Sequence, residues 1–179
     1  MKDKKELRRA IKAIKQLKSK EEKLGQSISI CKQLLSNSIY QEAKNILFYW
    51  AMADEVETQT FISDQYQLKS IYLPVIRGED LDMVLFEGED KLIPGPKYGI
   101  PEPSGERLLD ESIIDLVIVP GVAFDSENNR MGRGAGYYDR ILNRLPNAKK
   151  IALAFDFQMV EEVPTEPHDI RMDSVIFYQ

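Results

Sequence analysis

The feature that most limits how this chain can fold is the stretch from Ile113 to Leu142, IIDLVIVPGVAFDSENNRMGRGAGYYDRIL. It opens with an apolar run, Ile113 to Val119, broken only by Asp115. That is the pattern of a strand buried on both faces in the middle of a parallel sheet. Pro120-Gly121 stops the run, and a polar loop leads to glycines at 132, 134 and 136. Tyr137 to Leu142 then starts a helix, with Ile141, Leu142 and Leu145 at helical spacing. Strand, glycine-rich loop and helix start, in that order, form a device for holding phosphate. Glycines let the backbone approach closely, and a helix N-terminus presents unpaired N–H groups to an anion. Arg130 and Arg133 add two charged forks suited to bidentate phosphate contact. Asp139 follows, where a carboxylate could hold a hard cation bridging phosphate oxygens. The loop is not a P-loop, because no Gly-Lys-Ser/Thr follows, and its GxGxG spacing is not the GxGxxG of dinucleotide folds. By itself it also reads as a surface turn with solvated arginines.

The rest of the chain supplies helices and strands to surround that unit. Asp3 to Leu17 has Leu7, Ala10, Ile11, Ile14 and Leu17 on one stripe, an amphipathic helix. Lys4 and Arg8 are four apart and share a side of it. Ser19 and Glu22 form a capping box for a second helix, whose inner side is expected to carry Leu24, Ile28, Cys31 and Leu34 or Leu35. Cys31 on that stripe reads as core, with nothing nearby to activate a thiol. Asn45 to Ala51 reads as a strand, followed by a loop holding Asp54, Glu55 and Glu57. Ligands of open α/β sheets sit at the carboxyl ends of strands, so these carboxylates are placed to accept a ligand's N–H groups. Glu57-Thr58 is better read as capping a helix that carries Phe61, Ile62 and Tyr66. Ser70–Ile76 and Leu81–Phe86 form a hairpin, which makes the sheet mixed. Arg77 after the first of these strands faces either the site or solvent. Pro94 to Gly105, with four prolines and three glycines, excludes a helix or central strand. It reads as a stiff loop beside the site, with Tyr98, Ile100 and Glu102 toward a ligand, or else as a linker. Lys150–Phe155 and Ser174–Tyr178 complete the strands, with at most a short helical turn in between. His168 is the only histidine, so it cannot build a zinc site without a Cys or second His partner, and no Ser-His-Asp arrangement is apparent.

The central motif resembles a known family closely. PGVAFD (Pro120–Asp125) followed by NRMGRGAGYYDRIL (Asn129–Leu142) is similar to the hallmark of 5-formyltetrahydrofolate cyclo-ligases, also called methenyltetrahydrofolate synthetases. The family pattern there, close to PGxxFD…RxGxGxGYYDxxL, is matched at every fixed position. Weaker echoes occur in Lys4-x-x-x-Arg8, Met52-x-Asp54-Glu55-x-Glu57-Thr58, Gly99-Ile100-Pro101-Glu102-Pro103 and Asp169-x-x-x-Asp173. The resemblance implies a three-layer α/β sandwich with a central, mostly parallel but mixed sheet flanked by helices, in one domain spanning 1–179. It implies ATP-dependent cyclisation of 5-formyltetrahydrofolate, with or without a polyglutamate tail, to the 5,10-methenyl form, releasing ADP and phosphate. It assigns Lys4, Arg8 (Arg9 if the register shifts by one), Arg130, Met131, Gly132, Arg133, Gly134, Ala135, Gly136, Tyr137 and Tyr138 to ATP. Arg130 and Arg133 are the catalytic residues on this reading. Trp50, Glu55 and Tyr138 go to folate, although Trp50 fits core packing equally. Asp139 and Asp169 go to Mg2+, with Asp173 as the rival of Asp169.

Composition bounds the remaining possibilities. The 179 residues, 43% hydrophobic and 30% charged, suit one globular domain with a sizeable core. One cysteine excludes an internal disulfide framework and fits a reducing compartment. No apolar run reaches membrane-spanning length, and MKDKKELRR lacks the apolar core of a secretion signal. The expectation is a cytoplasmic monomer without a membrane or nucleic-acid partner. Residues 1–23 carry ten Lys/Arg against four Asp/Glu, +6, which leaves −11 of the total −5 for the remainder. A basic first helix on an acidic body suits an anionic ligand, RNA or a membrane surface. An RNA binder would also show interleaved aromatics and a basic sheet face, and neither is present.

Overall fold

The computed structural model describes residues 3–97 and 99–179. Tyr98, expected near the site, lies outside them. In chain order the elements are α1 (Lys4–Leu17), α2 (Lys20–Leu35), α3 (Ser38–Glu42), β1 (Asn45–Leu47), α4 (Gln59–Gln65), β2 (Ser70–Arg77), β3 (Asp80–Leu85), β4 (Leu92–Pro94), β5 (Pro101–Pro103), β6 (Leu116–Val119), β7 (Ala123–Phe124), β8 (Arg130–Met131), α5 (Tyr137–Arg144), β9 (Lys149–Ala154) and β10 (Ser174–Phe177).

Six strands form one sheet in the order β10-β9-β6-β1-β2-β3. All neighbours run parallel except β2 and β3, the expected hairpin. From β1 the chain crosses through α4 to β2, and from β6 through α5 to β9, in opposite directions along the sheet. Crossovers of one hand that travel in opposite directions put their helices on opposite faces. Side-chain alternation follows suit. Ile46 and Phe48, Leu116 and Ile118, and Ile151 and Leu153 pack with Ile30, Leu34, Tyr40, Phe61 and Ile62 of α2, α3 and α4. Leu47, Val117, Val119, Ala152 and Ala154 pack on the other face with Ile141, Leu142 and Leu145. This is the three-layer architecture implied by the family resemblance, with the buried run of β6 in mid-sheet. Between β1 and β6 the chain direction diverges, which opens a crevice at their carboxyl ends.

Several local expectations need correction. The buried side of α2 carries Gln26, Ser27, Ile30 and Leu34, while Leu24, Ile28 and Leu35 are exposed. The helix is rotated because two loops need acceptors: Gln26 Oε1 accepts the Asp156 N–H at 3.1 Å and Ser27 Oγ the Glu57 N–H at 3.0 Å. On α1, Leu7 and Ile11 are buried but Ile14 and Leu17 are not, and Lys15 takes the inner position. The helix lies along the carboxyl edge of the sheet, where its C-terminal half meets a carboxylate instead of apolar side chains. β1 ends at Leu47 and β6 starts at Leu116, both shorter than their apolar runs. The proline-rich segment is not wholly irregular, since β4 and β5 pair at its two ends. The capping box of Ser19 and Glu22 is present, and Glu57 Oε1 accepts the Thr60 N–H at 2.9 Å, capping α4 as anticipated.

Candidate active site at the sheet switch point

The crevice between β1 and β6 holds a cavity of about 370 Å³ whose wall has two unlike halves. One half is apolar: Tyr49, Trp50 and Met52 after β1, Pro74 and Ile76 of β2, Leu81 of β3, and Ile100. Two carboxylates, Glu55 and Glu102, interrupt it. The other half is polar and comes from the central motif: Pro120, Gly121, Arg130 and the run Gly132 to Asp139. Expected lining by Ile100 and Glu102 is met; Arg77 instead pairs with Asp82 at the exposed hairpin turn.

The motif folds as its residues dictate. After β6, the short ribbon of β7 and β8 turns back through Asn128, which has a left-handed φ of 62°. Asp125 organises that turn from within, accepting the N–H groups of Glu127, Asn129 and Val163 and the Asn129 side chain. Burial opposes its charge, but those donors prevail and hold its pKa below the ordinary value. Gly134 and Gly136 then take φ of +102° and +72°, conformations a side chain resists. A Cβ on Gly136 would also meet Arg140 Nη1 at 2.8 Å. As N-cap of α5, Gly136 brings no side chain to the first turn. The N–H groups there remain available to an anion.

Arg130 is 7% exposed, with Nε on the Pro120 carbonyl at 2.9 Å and Nη1 on Asp139 Oδ1 at 3.2 Å. Its guanidinium sits 5.6 Å from the Tyr138 ring centroid. Burial lowers its pKa, countered chiefly by Asp139. Burial and the nearby Glu55 charge raise that of Tyr138, keeping its hydroxyl protonated. Arg133 faces the junction of the two halves. Its Nη2 reaches Asp54 Oδ1 at 2.6 Å and Glu55 Oε1 at 3.1 Å, and its Nε reaches Glu55 at 3.3 Å. Glu55 Oε2 accepts the Met52 N–H at 2.9 Å, which fixes the carboxylate at the cavity wall. Trp50 lines the cavity and also stacks obliquely on Phe86 at 5.7 Å.

Residues assigned from sequence divide accordingly. Arg130, Gly132 to Tyr138, Trp50, Glu55 and Asp139 line the cavity, whereas Lys4, Arg8, Met131 and Asp169 do not. The Met131 side chain is buried against Leu7, Ile11 and Val163, because alternation on β8 sends it away from Arg130. Arg8 donates from Nε to the Gly132 carbonyl at 2.9 Å, behind the glycine turn, while Arg9 is exposed. Lys4 binds Glu166 at 2.8 Å and Asp169 at 2.7 Å. Glu166, His168 and Asp169 bring donor atoms within 4.8 Å of one another, a group that excludes Asp139. Asp173 accepts the Lys150 N–H at 2.8 Å, at the amino end of β9 and so at the opposite edge of the sheet. Lys15, Asp125 and Gln158 were not singled out from sequence. Lys15 carried a faint signal, since it falls seven residues after Arg8 on the face that holds Lys4. Gln158, buried and donating to the Gly121 and Val122 carbonyls at 2.8 and 3.1 Å, carried none.

Comparison with known proteins assigns the chain to a family. The family model of the 5-formyltetrahydrofolate cyclo-ligase family matches residues 1–178. A 5-formyltetrahydrofolate cyclo-ligase of Mus musculus is 32% identical, over 96% of this chain and 90% of the mouse protein. The Haemophilus influenzae protein of that name is also 32% identical, over 83% of each chain. The NMR structure of Aquifex aeolicus 5,10-methenyltetrahydrofolate synthetase superimposes with a TM-score of 0.87 at 31% identity, covering 97% of this chain and 89% of that one. Matched over residues 1–178 and by relatives of this identity along most of its length, this chain belongs to the 5-formyltetrahydrofolate cyclo-ligase family.

Proposed function

We propose that the chain cyclises 5-formyltetrahydrofolate to 5,10-methenyltetrahydrofolate at the expense of ATP, in the cavity between β1 and β6. The observation that carries the reading is the two-sided wall: an apolar pocket with a fixed carboxylate, Glu55, directly adjoining a turn of arginines and glycine amides. A reduced pterin offers N–H donors for Glu55 and a flat body for Trp50 and Tyr138. A triphosphate suits Arg130, Arg133, the amides from Gly132 to Gly136 and the start of α5. The chain is taken to act as one domain, 1–179, and as a cytoplasmic monomer; among the described residues no helix is long and apolar enough to cross a membrane.

The chemistry asks little covalent work of the protein. A formamide oxygen is a poor leaving group until phosphorylated. The formyl oxygen attacks the γ-phosphorus, the β–γ bridge breaks, and ADP departs. N10 then attacks the activated carbon and loses its proton, the C–O bond breaks, and phosphate leaves. Substrate atoms perform both attacks, so catalysis rests on positioning and charge stabilisation. Arg133, at the junction, is placed to follow the transferred phosphoryl group, and Arg130 holds the wall beneath it. Arg8, on the Gly132 carbonyl, and Lys4, on Glu166 and Asp169, would complete the phosphate field. Two hard carboxylates with phosphate oxygens suit Mg2+ better than softer metals. Asp139 and Asp169 would hold that ion, which would neutralise charge on the β and γ oxygens. In the protein alone these aspartates carry Arg130 and Lys4, cations that a metal would displace. Mixing the protein with 5-formyltetrahydrofolate and MgATP, with ATP omitted as control, tests the reading. ATP-dependent appearance of the methenyl chromophore is expected; a rate equal to the protein-free blank would overturn it.

A further inference from the structure

The pterin and phosphate contacts account for Glu55 and Arg133, but not for the two charged side chains behind them. Lys15, on α1, is 8% exposed, and its ammonium meets Asp54 Oδ2 at 3.1 Å. Asp54 turns its other oxygen to Arg133 at 2.6 Å, and Arg133 goes on to Glu55. Four groups thus alternate in sign from the helix to the cavity wall. Burial works against the Asp54 charge, yet hydrogen bonding from Arg133 and the nearness of Lys15 hold its pKa below the ordinary value. Burial likewise opposes the Arg133 charge, and the two carboxylates outweigh it.

Resting on the cyclo-ligase reading, we propose that Lys15 and Asp54 are positioning residues. They park Arg133 above Glu55 until nucleotide phosphate arrives, and Lys15 keeps Asp54 neutralised once Arg133 leaves it. Arg133 serves phosphate only by giving up Asp54. A half-buried carboxylate that loses one of two cations must keep the other or recapture the first. Lys15, anchored on α1 and already in contact, supplies the retained charge. Glu55 needs no such help, because the N–H groups of an incoming pterin replace the guanidinium. Without Lys15, the resting place of Arg133 becomes a trap.

Calorimetric titration with magnesium and a non-hydrolysable ATP analogue, AMP-PNP, separates this from a merely structural role. Lys15→Met keeps the side-chain volume but leaves Asp54 with Arg133 as its only cation, a one-sided loss that costs stability, so its melting temperature is measured alongside. The substitution is expected to weaken AMP-PNP by about tenfold, within the range for coupled neighbouring charges. Lys15→Arg should stay near wild type. Asp54→Asn, which removes the competitor for Arg133, should bind AMP-PNP as tightly as wild type or a few-fold tighter. Lys15→Met combined with Asp54→Asn should recover the affinity of Asp54→Asn. Unchanged affinity in Lys15→Met, weakened affinity in Asp54→Asn, or a double variant equal to the product of the two singles would each overturn the proposal. Should Lys15→Met fail to fold, the direction of the Asp54→Asn effect decides alone. The titration needs neither folate nor turnover. A protein that binds AMP-PNP but forms no methenyl product therefore refutes the cyclo-ligase reading and leaves this test standing. A wild type that binds no nucleotide overturns both.

Discussion

Aspartates crowd both edges of the central sheet, but they are used differently. At the amino edge, Asp115 accepts the Lys44 and Asn45 N–H groups at 2.9 and 2.8 Å, and Asp173 accepts the Lys150 N–H. These partners are backbone groups of the strands themselves and cannot leave without unfolding an edge. At the carboxyl edge, Asp54, Asp139 and Asp169 hold the side chains of Arg133, Arg130 and Lys4. Those partners sit on bonds that rotate, so an incoming metal or phosphate can take either member of each pair. Asp115 and Asp173 therefore staple strand starts at one edge, while Asp54, Asp139 and Asp169 hold side-chain cations at the other, where Asp125 and the second contact of Asp169, to the Glu166 N–H, still serve the backbone.

The comparison can be broken most severely at Arg133. Arg133→Ala should cut turnover by about 10²–10³, the 2.7–4 kcal/mol typical of one lost transition-state contact, with an unchanged melting temperature. Full activity would remove Arg133 from the mechanism. Asp139→Asn comes next. The magnesium concentration for half-maximal rate should rise by about tenfold or more, as for other disrupted metal sites; an unmoved titration would reassign the ligand. At the amino edge the signs reverse. Asp115→Ala removes two hydrogen bonds at an exposed edge, so a loss of about 0.5–1.5 kcal/mol in chemical denaturation is expected, with turnover near wild type. A drop in turnover without a loss of stability would contradict the division.

Acid sharpens the contrast least but tests it independently. Asp54, Asp125 and Asp169 all have pKa values held below the ordinary 3.8. A depressed folded pKa means stability that is fully present above the unfolded value and lost as pH falls through the folded one. Urea midpoints should therefore hold down to about pH 4 and fall below it. Asp125→Asn should start from a lower midpoint and show a shallower acid decline. A decline as steep as wild type would mean that Asp125 is not among the groups responsible.

Much of this was legible in the sequence where the pattern is local. The buried runs of β6 and β9, the hairpin of β2 and β3, the capping box at Ser19 and the glycine turn from 132 to 136 all follow from neighbours in the chain. What was missed depends on partners far away in sequence. Leu24 and Ile28 look like an inner stripe until the Asp156 and Glu57 N–H groups are seen to need Gln26 and Ser27. Lys15 reads as a solvated lysine because its reason for burial, Asp54, lies 39 residues away. Met131 reads with the loop glycines, although the pleat of β8 turns it into the core.

On the proposed function, the turn from Arg130 to Asp139 grips a triphosphate beside a reduced pterin. A crystal structure of the protein with magnesium, AMP-PNP and 5-formyltetrahydrofolate tests it most directly. The γ-phosphate is expected on the amides between Gly132 and Gly136, with Arg133 released from Asp54 and the pterin against Glu55. Nucleotide density elsewhere on the molecule, with Arg133 still on Asp54, would contradict it.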